Sequence, residues 1–224
     1  MNKYARLMHL VDSSLPTGSF ANSSGLESSI TFGMIKDIYG FKKYLYSFLQ
    51  QSASMDIPFI NSCFKYPVQD DCFLKITESY EAAMLVPAIY KASIVQGKNW
   101  LRLMTSFYPG EDISEVSKWF ILHKVPVHFV IIFPLCLKRT GFDLQDVHTM
   151  YLHIVLRDQI SAAIRLGFIG SMEGNKLQHD FYALFDDLLE KYLYKGYTEA
   201  SRSAFLLDTA QVFHEFIYSK LFQN

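Results

Sequence analysis

Few residues in this chain belong to a recognisable chemical signature. Its three cysteines, Cys63, Cys72 and Cys136, are too few for a disulfide framework and form no Cys-x-x-Cys. Net charge is nearly absent: 21 basic against 22 acidic residues leave −1, which favours neither nucleic acid nor an anionic membrane. No apolar run is long enough to cross a bilayer. The most apolar stretch, VPVHFVIIFPLCL at 125–137, is short, contains His128 and Pro134, and reads as buried core. The start, MNKYARLMHLVDSS, has no long apolar run and no small-residue cleavage site, so a cytosolic chain is expected. The Asn22-Ser23-Ser24 sequon is then expected to stay unused.

Apolar side chains are abundant. Half of the 224 residues are hydrophobic and 16% are aromatic, more than one core requires, and part of that surplus suits an interface. They recur at helical spacing. Phe41, Tyr44, Leu45, Phe48 and Leu49 share one face, with Asp37 placed to cap. Pro58, after Asp56, sits as proline does in a first helical turn. Further helices are predicted over 88–104, from Asp143 to about 166, over 172–193 and over 199–221. Turn signals fall at 15–19, 66–71, 107–112, 140–142, 167–171 and 195–198, none long enough to be a linker. With no hairpin signal, βαβ alternation or repeat, the pattern predicts one all-α domain over residues 1–224, built from about ten helices.

The stretch SSLPTGSFANSSGLES at 13–28 is the least helix-like near the start. A phosphate loop would end in Gly-Lys-Ser/Thr; here Gly25-Leu26-Glu27 puts a carboxylate where phosphate would sit. A nucleophile elbow needs Gly-x-Ser-x-Gly after a strand, and neither is present. The residues read as a helix-helix turn in which Pro16 fixes the chain, Gly18 relaxes it and Asn22 caps the next helix. The seven histidines include no i,i+4 pair of the HExxH kind, and His123 and His128 straddle Pro126. On the candidate helix from Asp143, the neighbours Arg157 and Asp158 are expected to face apart. Arg165 lies among Ala162, Ala163, Ile164 and Leu166, where a charge needs pairing or an interface. Gly167 and Gly170 are expected to end that helix as cap and turn. Gln96-Gly97 interrupts another helix, which calls for a kink or a close backbone contact.

Taken in order, these segments resemble the UreF family of urease accessory proteins. The family's Leu-Pro-x-Gly-x-Phe and Ser-x-Gly-Leu-Glu fall on Leu15, Pro16, Gly18, Phe20, Ser23 or Ser24, Gly25, Leu26 and Glu27. KASIVQGKNW is similar to its Ala-Ser-x-x-Gln-Gly segment at Ala92, Ser93, Gln96 and Gly97, and HKVPVHF to its His-x-x-Pro-Val stretch. The Ser-Ala-Ala-x-Arg-Leu-x-x-x-Gly run falls on Ser161 to Gly170 with Arg165 inside, and HEFIYSKLFQN resembles the family's closing segment. Ser19, Ser24 and Lys220 depart from the usual residues, as in a divergent or eukaryotic branch.

The resemblance implies an all-α, non-catalytic scaffold with no tightly bound cofactor. It would bind a UreD/UreH-type partner and recruit the UreG-type GTPase, and the assembled complex would deliver nickel to apo-urease, with this chain as a dimer. By the same resemblance, His214, Glu215, Lys220, Leu221 and Phe222 are candidates to become ordered on the UreD/UreH-type partner. Residues 15–27, Gln96, Gly97, Arg165 and Gly170 are candidates for GTPase contact or the dimer surface. Two other readings stand beside it. One is an all-α hydrolase drawing on Ser13, Ser14, Ser23, Ser24 and His214, without an evident oxyanion hole. The other is a nickel-binding shuttle built on scattered histidines and cysteines.

Overall fold

A computed structural model describes residues 2–110 and 112–223. Glu111, inside the turn predicted at 107–112, lies outside the described residues. The described residues form eleven α-helices and three short 3-10 turns, with no strand among them, so the all-α expectation holds.

The axis of the fold is α3 (Ile38–Lys65), which packs against α7 (Phe129–Arg139) and α8 (Leu144–Arg165). Asp37 caps it as expected, accepting the Gly40 N–H at 2.7 Å. Pro58 lies inside this helix rather than in a first turn, which corrects the sequence reading. Proline has no N–H for the carbonyl four residues earlier. That carbonyl, on Ser54, instead accepts the Ser201 N–H at 3.1 Å, and Ser54 Oγ donates to the Ser201 carbonyl at 3.0 Å. An irregular segment from the C-terminal part of the chain therefore completes the helix.

α7 takes up the apolar run from Phe129 onward, and Phe129 to Leu137 are all buried. It lies against α5 (Pro87–Phe107). Gly97 explains that contact: a Cβ there would stand 2.0 Å from the Val127 carbonyl oxygen. The glycine thus serves a close backbone approach. α8 opens on a reciprocal cap, Asp146 N–H to Asp143 at 2.9 Å and Asp143 N–H to Asp146 at 3.1 Å, with Lys3 paired to both carboxylates. It ends at Gly167, whose φ of +68° is the left-handed form glycine adopts freely. Gly170 does not end α8; it precedes α9 (Ser171–Phe181) as its cap residue.

The predicted helix 172–193 is two helices, α9 and α10 (Ala183–Tyr192). At Tyr182 the backbone tightens to i→i−3 bonds while the ring stacks on His153 and its hydroxyl meets His153 Nδ1 at 3.0 Å. The predicted helix 199–221 shrinks to α11 (Phe205–Phe213) followed by the 3-10 turn His214–Phe216. Side chains from elsewhere take the backbone groups that a longer helix would need. Gln51 Oε1 accepts the N–H groups of Ser203 at 2.9 Å and Ala204 at 2.7 Å, and Glu27 takes those of Leu221 and Phe222. Arg157 and Asp158 do face each other, contrary to expectation. The long guanidinium stem folds back, putting Nη2 2.6 Å from Asp158 Oδ1, while Nη1 donates to the Val11 carbonyl at the end of α1 (Lys3–Leu10).

Candidate functional site

The opening loop runs from α1 to α2 (Leu26–Thr31). Gly18 and Gly25 have φ of +94° and +90°, and Ser24 has φ of +52°. Asn22 does not cap α2. Its Nδ2 donates back to the Gly18 carbonyl at 3.1 Å, and Ser23 Oγ accepts the Glu27 N–H at 3.3 Å in its place. Leu15 is half-buried, Pro16 exposed and Leu26 fully buried. A Cβ on Gly25 would meet Gln211 Cγ at 2.7 Å, so the loop can press on α11 only as glycine. Ser28 Oγ donates to the Gly25 carbonyl and to the Ala210 carbonyl, joining α2 to α11.

Glu27 is the centre of this region. It is 4% exposed, yet three donors converge on its carboxylate. Leu221 N–H lies at 2.6 Å, Phe222 N–H at 3.2 Å, and His214 Nε2 at 2.8 Å. The Gln223 N–H adds a bond to the Ala21 carbonyl at 2.8 Å. His214, Leu221, Phe222 and Gln223 thus all bond to the chain's own 21–27 stretch. Above them, the Arg165 guanidinium stands 3.4 Å from the Phe20 ring centroid and 4.3 Å from that of Phe222, and donates to the Phe20 carbonyl. Burial lowers the Arg165 pKa from its ordinary value, and the Glu27 charge opposes that.

The structure therefore brings Phe20, Gly25, Glu27, Arg165, His214, Leu221 and Phe222 together. Gly18 lies instead against α5, where Asn99 Nδ2 donates to the Thr17 carbonyl at 3.1 Å. Gly97 is on the far side of α5, against Val127. Gly170 stands apart, with nothing within 4 Å of where a Cβ would be. Glu215 and Lys220 point outward on the exposed side of the tail.

That outward side also carries exposed aromatic rings. Phe216 is 70% exposed, Tyr218 fully exposed and Phe20 60% exposed. Phe32, Phe213 and Phe216 form a ladder with ring centroids 6.0 and 6.2 Å apart. Contiguous apolar surface of this kind, held rigid from beneath, is what protein interfaces use.

The hydrolase residues do not assemble. His214 is committed to Glu27, Ser23 is fully buried under the Glu27 N–H, and Ser13 and Ser14 are exposed. Among the described residues no group of three or more His, Cys, Asp or Glu is placed to hold a metal ion. No described helix is long and apolar enough to cross a membrane.

Sequence reasoning missed a second polar cluster. Asp56 accepts the hydroxyls of Tyr80 at 3.3 Å and of Tyr151. Desolvation pushes its pKa up to about 6, against the hydrogen bonds and the Arg202 charge. Nearby, His128 Nδ1 lies 3.1 Å from Ser93 Oγ, and burial pushes its pKa down to about 4. The available signal was an aspartate in the mostly apolar stretch 53–60, which Pro58 two residues on disguised as a helix start.

A family model described as UreF matches residues 35–182, beginning after the opening loop and ending before the tail. Relatives extend the likeness over most of the chain. "Urease accessory protein F" of Oryza sativa is 31% identical over 215 residues, covering 95% of this chain and 82% of the relative. The protein of the same name from Arabidopsis thaliana is 31% identical over 220 residues, covering 95% and 89%. A Schizosaccharomyces pombe protein described as an uncharacterized UreF-like urease accessory protein is 24% identical over 225 residues, covering 96% and 94%.

Proposed function

The chain belongs to the UreF family of urease accessory proteins, and from that premise we propose that it is a cytoplasmic scaffold of urease maturation that works only in assembly. It is a maturation factor and not an enzyme. In this reading it binds a UreD/UreH-type protein, recruits and regulates a UreG-type GTPase, and acts as a homodimer in the complex that inserts nickel into apo-urease. Nickel is cargo of that complex and not a resident cofactor of this chain.

The observation that carries the reading is the tail. Glu27 fixes its backbone from beneath while Phe216, Tyr218 and Leu221 remain exposed. A backbone that is fixed before binding loses less entropy on binding, so an aromatic ridge carried on it is well suited to anchor a partner. We assign that ridge to the UreD/UreH-type protein and the neighbouring loop around Phe20 and Arg165 to the GTPase or the dimer contact.

The test is functional. GTP hydrolysis by the UreG-type protein and activation of apo-urease are measured with and without this chain, each in the presence of the UreD/UreH-type protein. A change in both that requires the three proteins together is expected. Equal hydrolysis and equal activation in its absence would overturn the proposal.

A further inference from the structure

A cleft of about 170 Å³ enters the fold between α3, α5 and α8, bordered on its remaining side by residues of the 202–211 segment. For scale, a cavity of about 150 Å³ holds a molecule the size of benzene. Half-buried Ser19, Asn22 and Gln96 line it on the side of the opening loop, and Met55, Phe129 and Ile154 supply apolar wall.

The charges lining the cleft do not balance. Asp158 is paired with Arg157, and Asp208 is gripped by the fork of Arg202, with Nε at 2.9 Å from Oδ2. Asp56 has no ion pair among the described residues, since the cation acting on it, Arg202, is already committed to Asp208. Tyrosine hydroxyls are its hydrogen-bond donors. A carboxylate drawn this far out of water without a cation costs free energy unless something compensates it. Gln211 is a second, independent observation. It is 4% exposed, it lines the same cleft, and its Oε1 has no hydrogen-bond partner among the described residues. A buried acceptor left in this way calls for a donor. Gln51 Nε2, also unpartnered, is a donor and makes no claim on a cation.

The geometry points to this cleft as a binding site for a basic group on a short apolar stem, an alkylammonium or alkylguanidinium, held by the Asp56 carboxylate with Gln211 Oε1 as the second acceptor. The stem lies along Met55, Phe129 and Ile154. Two sources offer this chemistry: a free amine, or a lysine or arginine side chain inserted by a bound protein. The site goes beyond the scaffold reading and can be tested on the chain alone.

The experiment is an NMR titration of the isolated chain with n-butylammonium chloride, against n-butanol and sodium chloride at matched concentration, following the backbone amide of residue 211. Saturable binding of the ammonium and none of the alcohol is expected. Asp56→Asn should weaken it at least tenfold, and Gln211→Glu, which adds charge without changing shape, should tighten it. An equal response to butanol, or unchanged affinity in Asp56→Asn, would overturn the proposal. Repeating the titration on the chain assembled with its partner proteins separates the sources. Retained binding identifies a free amine, and binding lost on assembly identifies a partner side chain. Failure of that assembly would count against the scaffold reading and leave the titration of the isolated chain as the test of the site.

Discussion

Glu27 satisfies two backbone N–H groups, from Leu221 and Phe222, that have no helix to serve them, and a buried imidazole besides. Removing the carboxylate strands all three donors. Each buried donor left unpaired costs about 1–3 kcal/mol, so Glu27→Ala should lose about 3 kcal/mol or more in urea denaturation and expose amides 214–223 to hydrogen exchange. A loss under about 0.5 kcal/mol, within the range of an ordinary surface change, would contradict the clamp. Asp56 has the opposite sign. Its pKa is raised to about 6 from 3.8, so the folded chain holds the proton more tightly than the unfolded one. Its stabilising contribution is greatest when protonated and declines as pH rises from about 4 to 6. The full shift corresponds to about 3 kcal/mol, and the solvent that reaches it through the cleft reduces this to roughly 1–2 kcal/mol. Asp56→Asn should therefore be more stable than the parent at pH 8, with the difference vanishing near pH 4. A variant that is less stable at pH 8 would show that the charge is compensated within the chain.

At the scale of elements, most helices were legible because their signals are local. The Asp143 cap, the Asp37 cap and the glycine at 167 each act within a few residues of sequence. What was not legible depends on partners distant in sequence. Pro58 is tolerated inside α3 because Ser201 supplies the missing donor, and the C-terminal helix is cut short because Gln51 and Glu27 take its backbone groups. The Arg157–Asp158 pair was missed because backbone spacing says little about where a long, flexible guanidinium stem ends. In the candidate site, Glu27 and Arg165 were named from the family resemblance, whereas Asp56, whose apolar surroundings were masked by Pro58, and Gln211, which no local signal distinguishes, were not. The contact between α5 and α7 carries its own prediction. Alanine is the better helix former by about 1 kcal/mol, yet Gly97→Ala would drive a methyl into the Val127 backbone. A net loss of about 2 kcal/mol or more is expected. Gly170→Ala, where the space is open and φ is −77°, should change stability by no more than about 0.5 kcal/mol. Equal thermal shifts for the two variants would remove close approach as the reason for Gly97.

Across the whole molecule, acid should unfold the chain through its buried histidines. Burial pushes His128 and His148 down to about 4 from 6.5. Both are neutral in the folded chain, so their contribution is complete above pH 6.5 and is lost as pH falls from there toward 4. Each is worth up to about 3 kcal/mol over that range. Asp56 returns part of this between pH 6 and 4, but two histidines outweigh one carboxyl. Denaturation midpoints should fall steadily from pH 7 to pH 4, more steeply in Asp56→Asn, and a midpoint flat across that range would contradict the assignment. The same balance of buried polar groups describes the fold as a whole. One hydrophobic core is crossed by a few polar clusters, and two of those clusters, at Glu27 and at Asp56, lie against the segment after residue 200. That segment is therefore tied to the body by polar contacts while aromatic side chains stay exposed on its outer side, an arrangement suited to meeting other proteins.

The most direct test is the mass of what co-purifies when this chain is co-expressed with the UreD/UreH-type and UreG-type proteins of its own source, with Phe216→Ser/Tyr218→Ser run in parallel. Both side chains are exposed, so the double variant should keep the parent's melting temperature. The account predicts a stable complex of all three proteins that the double variant loses, with affinity for the UreD/UreH-type protein reduced at least tenfold. A parent chain that elutes alone while the other two are well behaved, or a double variant that assembles as the parent does, would contradict it.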